Sequence, residues 1–117
     1  MRTIFCGSRD LTNSWHIWNA LQHLDAHADT IIHGGARGAD AIADYYARKM
    51  GFTVEVFPAE WDRYGKRAGY LRNQAMLDGG ADHVYAFVNK PIEESRGTAI
   101  MVDIARQAGV PVDIYRT

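Results

Sequence analysis

The sequence has few of the features that mark secreted proteins or membrane proteins. Only one of its 117 residues is a cysteine, Cys6, so no disulfide can form within the chain and nothing points to an oxidising compartment. No stretch approaches the ~20 consecutive apolar residues of a membrane-spanning helix, and the first residues lack the apolar run of a signal peptide. We therefore expect a cytoplasmic protein with no membrane partner.

Excess charge of either sign is also missing. Lys and Arg total 13 while Asp and Glu total 14, which leaves a net charge of −1. Such a balance argues against nucleic acid or an anionic membrane as the main partner, so any site for an anion must be local. The length predicts a single domain over residues 1–117, and a hydrophobic fraction of 47% is enough to build a core.

Short apolar runs alternate with helical patterns from end to end. The runs predict strands at Thr3–Cys6, Thr30–His33, Thr53–Phe57, His83–Val88 and Val110–Tyr115. Amphipathic spacing predicts helices around residues 17–24, 39–50 and 97–108, and a less periodic helix is expected at Arg67–Leu77. Strands that alternate with helices favour parallel pairing with right-handed crossovers. We therefore predict an α/β fold whose five-stranded parallel sheet has its first strand in the centre and helices on both faces.

The most informative segment is the loop at residues 33–40, which reads HGGARGAD. It follows a strand and opens a helix, where glycines let the backbone approach a ligand and the helix N-terminus attracts phosphate. The Lys-Ser/Thr pair of a P-loop and the spacing of the dinucleotide fingerprint are both absent. The loop therefore predicts a phosphate site of another kind, with a purely structural tight turn as the alternative.

Cations gather in the same group of loops and helix starts. Gly7, Ser8 and Arg9 end the first strand, and the Arg9 guanidinium offers a planar set of donors suited to phosphate. Further cations are expected nearby, namely Arg37, Lys66, Arg67, Arg72 and Arg96. So many cations on one edge of a near-neutral protein predict a bound anion, although each one alone also fits ordinary surface charge.

Two further features carry open alternatives. The connection Pro58–Lys66 is long, and its Trp61 and Tyr64 either stack on a planar ligand or anchor the loop to the body. His33 lies beside the glycine loop and has two interpretations. It either contacts the ligand, as a hydrogen-bond donor or as an acid/base, or it is a hydrogen-bonded residue at the strand end with a structural role.

Taken in order, these segments resemble the YspA-type branch of the SLOG superfamily, a Rossmann-like group that includes the Lonely Guy (LOG) phosphoribohydrolases and the DNA-processing protein DprA. The resemblance rests on residues 7–9, 34–40, 57–61, 65–69, 72–76 and 97–98. It implies a nucleotide-like ligand at the edge of the sheet. The residues expected to bind that ligand are Gly7, Ser8, Arg9, Gly34, Gly35, Ala36, Arg37, Gly38, Asp40, Lys66, Arg72, Asn73, Gly97 and Thr98.

One departure from the LOG pattern bears on catalysis. LOG enzymes carry a catalytic Glu in a Pro-Gly-Gly-x-Gly-Thr-x-x-Glu motif. Here Gly97 and Thr98 match that motif, but Ile100 and Met101 occupy the region of the Glu. Arg72 resembles the Arg of the LOG Arg-Lys-x-x-Met stretch, and it would be the candidate catalytic residue if the protein were an enzyme.

These observations favour a binding module that senses or sequesters a phosphate-bearing, nucleotide-derived small molecule. The alternatives are a hydrolase acting on an N-glycosidic or phosphoester bond of a nucleotide, and, less favoured, a nucleic-acid-processing protein. We expect neither a metal nor a cofactor. Aromatic side chains expected at the surface, such as Trp15, Trp18, Tyr45 and Tyr46, make a homodimer reasonable.

Overall fold

The computed structural model describes residues 1–117 as five strands and five helices. The strands are β1 (Arg2–Gly7), β2 (Thr30–His33), β3 (Thr53–Val56), β4 (His83–Val88) and β5 (Val112–Arg116). The helices are α1 (Trp15–Gln22), α2 (Ala39–Lys49), α3 (Trp61–Tyr64), α4 (Ala68–Asp78) and α5 (Arg96–Gln107). Short 3₁₀ turns at Gly65–Arg67 and Ile92–Glu94 precede α4 and α5. None of the helices has the length and apolarity needed to cross a membrane.

All five strands pair in parallel, in the order β3-β2-β1-β4-β5. The chain proceeds outward from β1 through β2 and β3, and then adds β4 and β5 on the other side of β1. The predicted parallel sheet and the central position of the first strand are therefore confirmed. The direction of winding reverses between β1 and β4, and in open α/β sheets ligands bind beyond the carboxyl ends of the strands at such a point.

Side chains of β1 alternate between two hydrophobic layers, one on each face of the sheet. Ile4 and Cys6 pack in one layer with side chains of α4 and α5, such as Met76 and Met101. Phe5 points to the opposite face and packs in the other layer with residues of α1 and α2. This alternation is the period-2 pattern of a strand buried on both sides. It confirms the prediction of helices on both faces.

Most predicted boundaries differ from the structure by one or two residues, as at β1, β3 and α1. β5 begins at Val112 rather than Val110, because the Val110 amide donates to the Ala105 carbonyl at the end of α5 (2.9 Å) and Pro111 has no amide hydrogen. The long connection after β3 contains the short helix α3. α4 runs one residue later than expected at both ends.

The aromatic side chains behind the homodimer prediction are not equally accessible. Trp15, Trp18 and Tyr45 are exposed, whereas Tyr46 is half-buried against the layer that contains α1 and α2. The homodimer stays a prediction, as does the cytoplasmic location.

Candidate functional site

Ser8 joins the loop after β1 to the starts of two helices and to the loop after β4. Its carbonyl accepts a hydrogen bond from the Ala39 amide at the start of α2 (3.1 Å). Its Oγ accepts from the Asn89 amide (3.3 Å) and lies 3.5 Å from the Oγ of Ser95, just before α5. The side chain is fully buried. Ser8 therefore connects the loops after β1 and β4 with the starts of α2 and α5, and has a structural role beneath the surface of the site.

The amides of the glycine loop are engaged within the protein itself. The Gly34 and Ala36 amides both donate to Oδ2 of Asp40 (3.0 and 3.2 Å), and the Gly35 amide donates to Nδ1 of His33 (3.0 Å). Asp40 thus occupies, as an internal carboxylate, the position in which the sequence analysis expected the loop to receive a phosphate. The amides of residues 37, 38, 40 and 41 have no hydrogen-bond partner in the chain. An anion at this loop would meet these amides at the start of α2 rather than those of residues 34–36.

His33 is a structural residue of this loop. Its ring is buried, and Nε2 lies 2.8 Å from Oδ1 of Asp44 while Nδ1 accepts the Gly35 amide. Because both ring nitrogens are engaged inside the protein, neither faces a ligand. Of the two interpretations of His33, the structure supports the hydrogen-bonded residue at the strand end.

Gly38 is required by close backbone packing where the loop enters α2. Its φ is +75°, in the region that favours glycine, and a Cβ there would overlap the backbone of Ser8 and Arg9. The loops after β1 and β2 therefore touch through their main chains. Gly38, like Ser8, lies behind the wall of the site.

Arg72 links the glycine loop to the start of α5. Its Nη1 donates to the Gly34 carbonyl (2.6 Å) and its Nε donates to Oδ1 of Asn73 (2.9 Å). Asn73 in turn donates from Nδ2 to the Gly97 carbonyl (3.2 Å). Burial lowers the pKa of the Arg72 guanidinium, although Asp40 opposes the shift. An arginine pKa is high enough that this side chain stays charged at neutral pH, and its Nη2 makes no hydrogen bond within the chain.

A large cavity of about 680 Å³ opens at this edge of the sheet, within the ~300–1,000 Å³ range of small-molecule sites. The expected ligand-binding residues that line it are Gly7, Arg9, Ala36, Asp40, Lys66, Arg72, Asn73, Gly97 and Thr98. Trp61, Tyr70, Met76 and Ile100 supply apolar surface. The large cavity thus combines flat apolar walls with charged groups.

A small cavity of about 220 Å³ adjoins the large one at the glycine loop. Gly34, Gly35 and Arg37 line only the small cavity, whereas Arg9, Ala36, Trp61 and Arg72 line both. The structure therefore brings twelve of the fourteen expected residues to two adjoining cavities, and places only Ser8 and Gly38 behind their walls.

The charges on these two cavities are strongly one-sided. Seven of the 13 basic residues line them, but only two of the 14 acidic residues, Asp40 and Glu94. Lys90 is the one cation of the seven that forms an ion pair, with Asp10 at 3.7 Å. The other six are Arg9, Arg37, Lys66, Arg67, Arg72 and Arg96. A near-neutral protein therefore presents a concentrated positive edge whose charges the protein leaves largely uncompensated.

Trp61 lines both cavities, at the place where they meet. The Arg9 guanidinium lies 5.9 Å from the centre of the Trp61 ring, within the range of a cation–π contact. The Trp61 side chain is still 49% exposed. The contact anchors the long connection to the loop after β1, and stacking of the exposed Trp61 ring on a planar group stays a prediction. Tyr64 lines neither cavity.

The lining residues that were not predicted from the sequence include Tyr70, Lys90 and Ser95. Tyr70 lies three positions before Asn73 on α4, and helical spacing could have placed both on one face. Lys90 lies two residues after the end of β4, where the rule for strand ends would have found it. Ser95 carries no such signal, because its contact with Ser8 joins residues 87 positions apart in the sequence.

Cys6 also lines the large cavity, but it is an unreactive thiol. Burial raises the pKa of this thiol far above its ordinary value. The thiolate is the nucleophilic form of cysteine, so a protonated Cys6 is a packing residue of β1 rather than a nucleophile.

Asp40 gives a testable pH dependence of stability. Burial raises its pKa above the ordinary 3.8, against the opposing effects of the Ala36 amide, His33 and Arg72. The Asp40 carboxyl group therefore keeps its proton to higher pH in the folded protein than in the unfolded chain. The contribution of Asp40 to the free energy of unfolding falls as the pH rises from about 3.8. We expect the free energy of unfolding of the wild type, relative to Asp40→Asn, to fall with increasing pH. Urea unfolding of both proteins from pH 3.5 to 7.5 measures this difference, and a constant or rising difference would contradict the assignment.

Comparison with known proteins places the chain in a family. Residues 1–64, which hold β1, β2, β3 and the glycine loop, match the family described as YspA, cpYpsA-related SLOG (YAcAr). The chain is also 41% identical over 119 aligned positions to the Gene 61 protein of Mycobacterium phage D29, covering 95% of this chain and 93% of that protein. No solved structure matches. With the family match over more than half of its residues, this chain belongs to the YspA, cpYpsA-related SLOG family.

Proposed function

We propose that this protein binds a phosphate-bearing, nucleotide-derived small molecule at the carboxyl edge of its sheet, as a sensor or sequestering module. The observation that carries the proposal is the concentration of seven basic residues on two adjoining cavities, six of them without an ion pair. A bound phosphate would compensate part of this positive charge and accept hydrogen bonds from Arg9, Arg37 and Arg72. Membership of the SLOG family agrees with a nucleotide-related ligand.

The walls of the large cavity suit the rest of a nucleotide. Trp61 and Tyr70 offer aromatic faces for a base, and Met76 and Ile100 add apolar surface. Asn73, Ser95 and Thr98 supply short polar groups of the kind that fix the orientation of a sugar or base. This division into flat apolar walls and a cationic rim supports a nucleotide over a purely apolar ligand or a simple inorganic anion.

The distribution of the remaining cations speaks against nucleic acid as the ligand. Outside the two cavities, Arg2 pairs with Glu55 and Arg48 pairs with Asp44, so the protein compensates these charges internally. Binding to a nucleic-acid backbone needs a continuous cationic surface beyond a pocket. Seven of the 13 basic residues lie at the cavities, and those outside them without an ion pair stand on four separate elements: Lys49, Arg63, Arg106 and Arg116.

A hydrolase is the second candidate, and one observation favours it. Glu94 lines the large cavity, so a carboxylate is present near the Gly97 and Thr98 that match the LOG motif. The position resembling the LOG catalytic Glu nevertheless holds Ile100 and Met101, and Met101 is buried in the core. We therefore place binding ahead of hydrolysis.

Calorimetric titration tests the proposal. We expect at least one nucleoside 5′-monophosphate, from a panel of the four common ribonucleotides, to bind at least about tenfold more tightly than its nucleoside, because the phosphate adds charge-assisted hydrogen bonds. Raising the salt concentration should weaken binding of the nucleotide more than binding of the nucleoside. Equal affinities for nucleotide and nucleoside, or no binding by any member of the panel, would overturn the proposal.

A further inference from the structure

We propose that the ligand carries two separated anionic groups, one received by the small cavity and one by the far side of the large cavity. This inference rests on the proposed function and specifies the class of nucleotide: one bearing phosphates, or a phosphate and a second anionic group, at two distinct positions. It follows from the sizes of the two cavities and from the way the cations divide between them.

The small cavity is suited to a group rather than to a whole ligand. Its volume of about 220 Å³ is below the ~300 Å³ at which small-molecule sites begin, yet far above the ~30 Å³ share of a water molecule. Its charged lining consists of Arg9, Arg37 and Arg72, with no carboxylate. It therefore fits one tetrahedral anion, held by guanidinium groups. Arg37, whose backbone amide has no partner in the chain, also lines this cavity.

That first anion leaves three cations of the large cavity without an anionic partner. Lys66, Arg67, Lys90 and Arg96 line the large cavity and not the small one. The carboxylates on that cavity are Glu94 and Asp40, and Asp40 uses Oδ2 for two amides of the glycine loop. Lys90 pairs with Asp10 (3.7 Å). A phosphate carries at most two negative charges, so an anion held by Arg9, Arg37 and Arg72 does not compensate the other three cations.

The geometry also leaves room for the second anionic group beside Arg96. A Cβ built on Gly97 would meet no atom within 4 Å, so the space next to this residue is open. Arg96 itself forms no ion pair, and it borders the apolar wall made by Ile100. A ligand whose base rests on the apolar wall can therefore extend one anion to the small cavity and another toward Arg96.

Titration with matched nucleotides tests this inference. The probes are adenosine 5′-monophosphate, adenosine 3′,5′-bisphosphate, in which the phosphates are separated, and adenosine 5′-diphosphate, in which they are adjacent. We expect the bisphosphate to bind at least about tenfold more tightly than the monophosphate, as charge-assisted hydrogen bonds to a second phosphate imply, and the diphosphate to gain less. Arg96→Ala should lose most of the bisphosphate gain, whereas Arg106→Ala, an equal charge change on the exposed end of α5, should keep it.

The outcomes separate this inference from the proposed function. Binding of the monophosphate without any gain for the bisphosphate would overturn the two-anion inference and leave the proposed function standing. A gain that survives Arg96→Ala unchanged would also overturn it. Failure of all three nucleotides, and of the other three monophosphates of the panel, to bind would overturn both. Thermal unfolding of each variant confirms that the folded protein is being titrated.

Discussion

Replacing Arg72 by alanine is expected to weaken nucleotide binding about 10- to 150-fold, because charge-assisted hydrogen bonds are worth ~1.5–3 kcal/mol and each 1.4 kcal/mol is tenfold in affinity. Arg72 lines both cavities, and its Nη2 has no partner within the protein. Its Nη1 also fixes the Gly34 carbonyl, so the substitution removes a ligand contact and loosens the glycine loop together. Calorimetry with the best-binding nucleoside monophosphate measures the loss.

Two further variants separate charge from geometry at this position. Arg72→Lys keeps the charge but loses the planar fork, and we expect it to recover only part of the affinity. Arg106→Ala removes one positive charge from an exposed position outside both cavities. Because salt screens distant surface charges, this variant should change the affinity by less than about twofold. An Arg72→Ala protein that unfolds at the wild-type temperature and binds the nucleotide with wild-type affinity would contradict the role assigned to Arg72.

No release of free base is expected from nucleoside monophosphates incubated with this protein, beyond that in a buffer control. Cleavage of a glycosidic bond passes through an oxocarbenium-like state, which a nearby carboxylate stabilises while another group handles the proton. Ile100 faces the large cavity and Met101 is buried in the core at the positions that resemble the LOG Glu. Neither side chain can stabilise a positive charge or transfer a proton.

Glu94 provides the control for that experiment. It is exposed and lines the large cavity, whereas its neighbour Glu93 is exposed and lines neither cavity. Base release by the wild type that disappears in Glu94→Gln and persists in Glu93→Gln would establish hydrolysis and displace the binding module. Recovery of the intact nucleotide after long incubation with the wild type would agree with binding alone.

The fold was predictable because local pattern and global topology agree in this chain. Thr30–His33 and His83–Val88 are compact apolar strands, and both were located to the residue from the sequence. The start of β5 was not located to the residue. The Val110 amide donates to a carbonyl at the end of α5, and a hydrophobicity pattern gives no information about that hydrogen bond. α3 was hidden for a related reason, because a four-residue helix has too few turns to show a period.

The site was predictable as a region more than as a set of contacts. Glycines and cations at strand ends located the edge, because parallel strands bring their carboxyl ends together. The role of Asp40 was not visible, since a carboxylate that accepts the Gly34 and Ala36 amides looks the same in sequence as one that faces a ligand. The burial of Ser8 and the meeting of Ser95 with it, across 87 residues of sequence, likewise depend on the folded structure.

An NMR titration of the ¹⁵N-labelled protein with nucleoside 5′-monophosphates tests the central claim most directly. Binding of a phosphate at the edge of the sheet should shift the amide signals of residues 37–41 and 96–98, which lie at the starts of α2 and α5, and the shifts should saturate. Signals from the far end of α5, including that of Arg106, should stay in place. Shifts confined to surfaces away from both cavities, or no shifts with any of the four common nucleotides, would contradict the account.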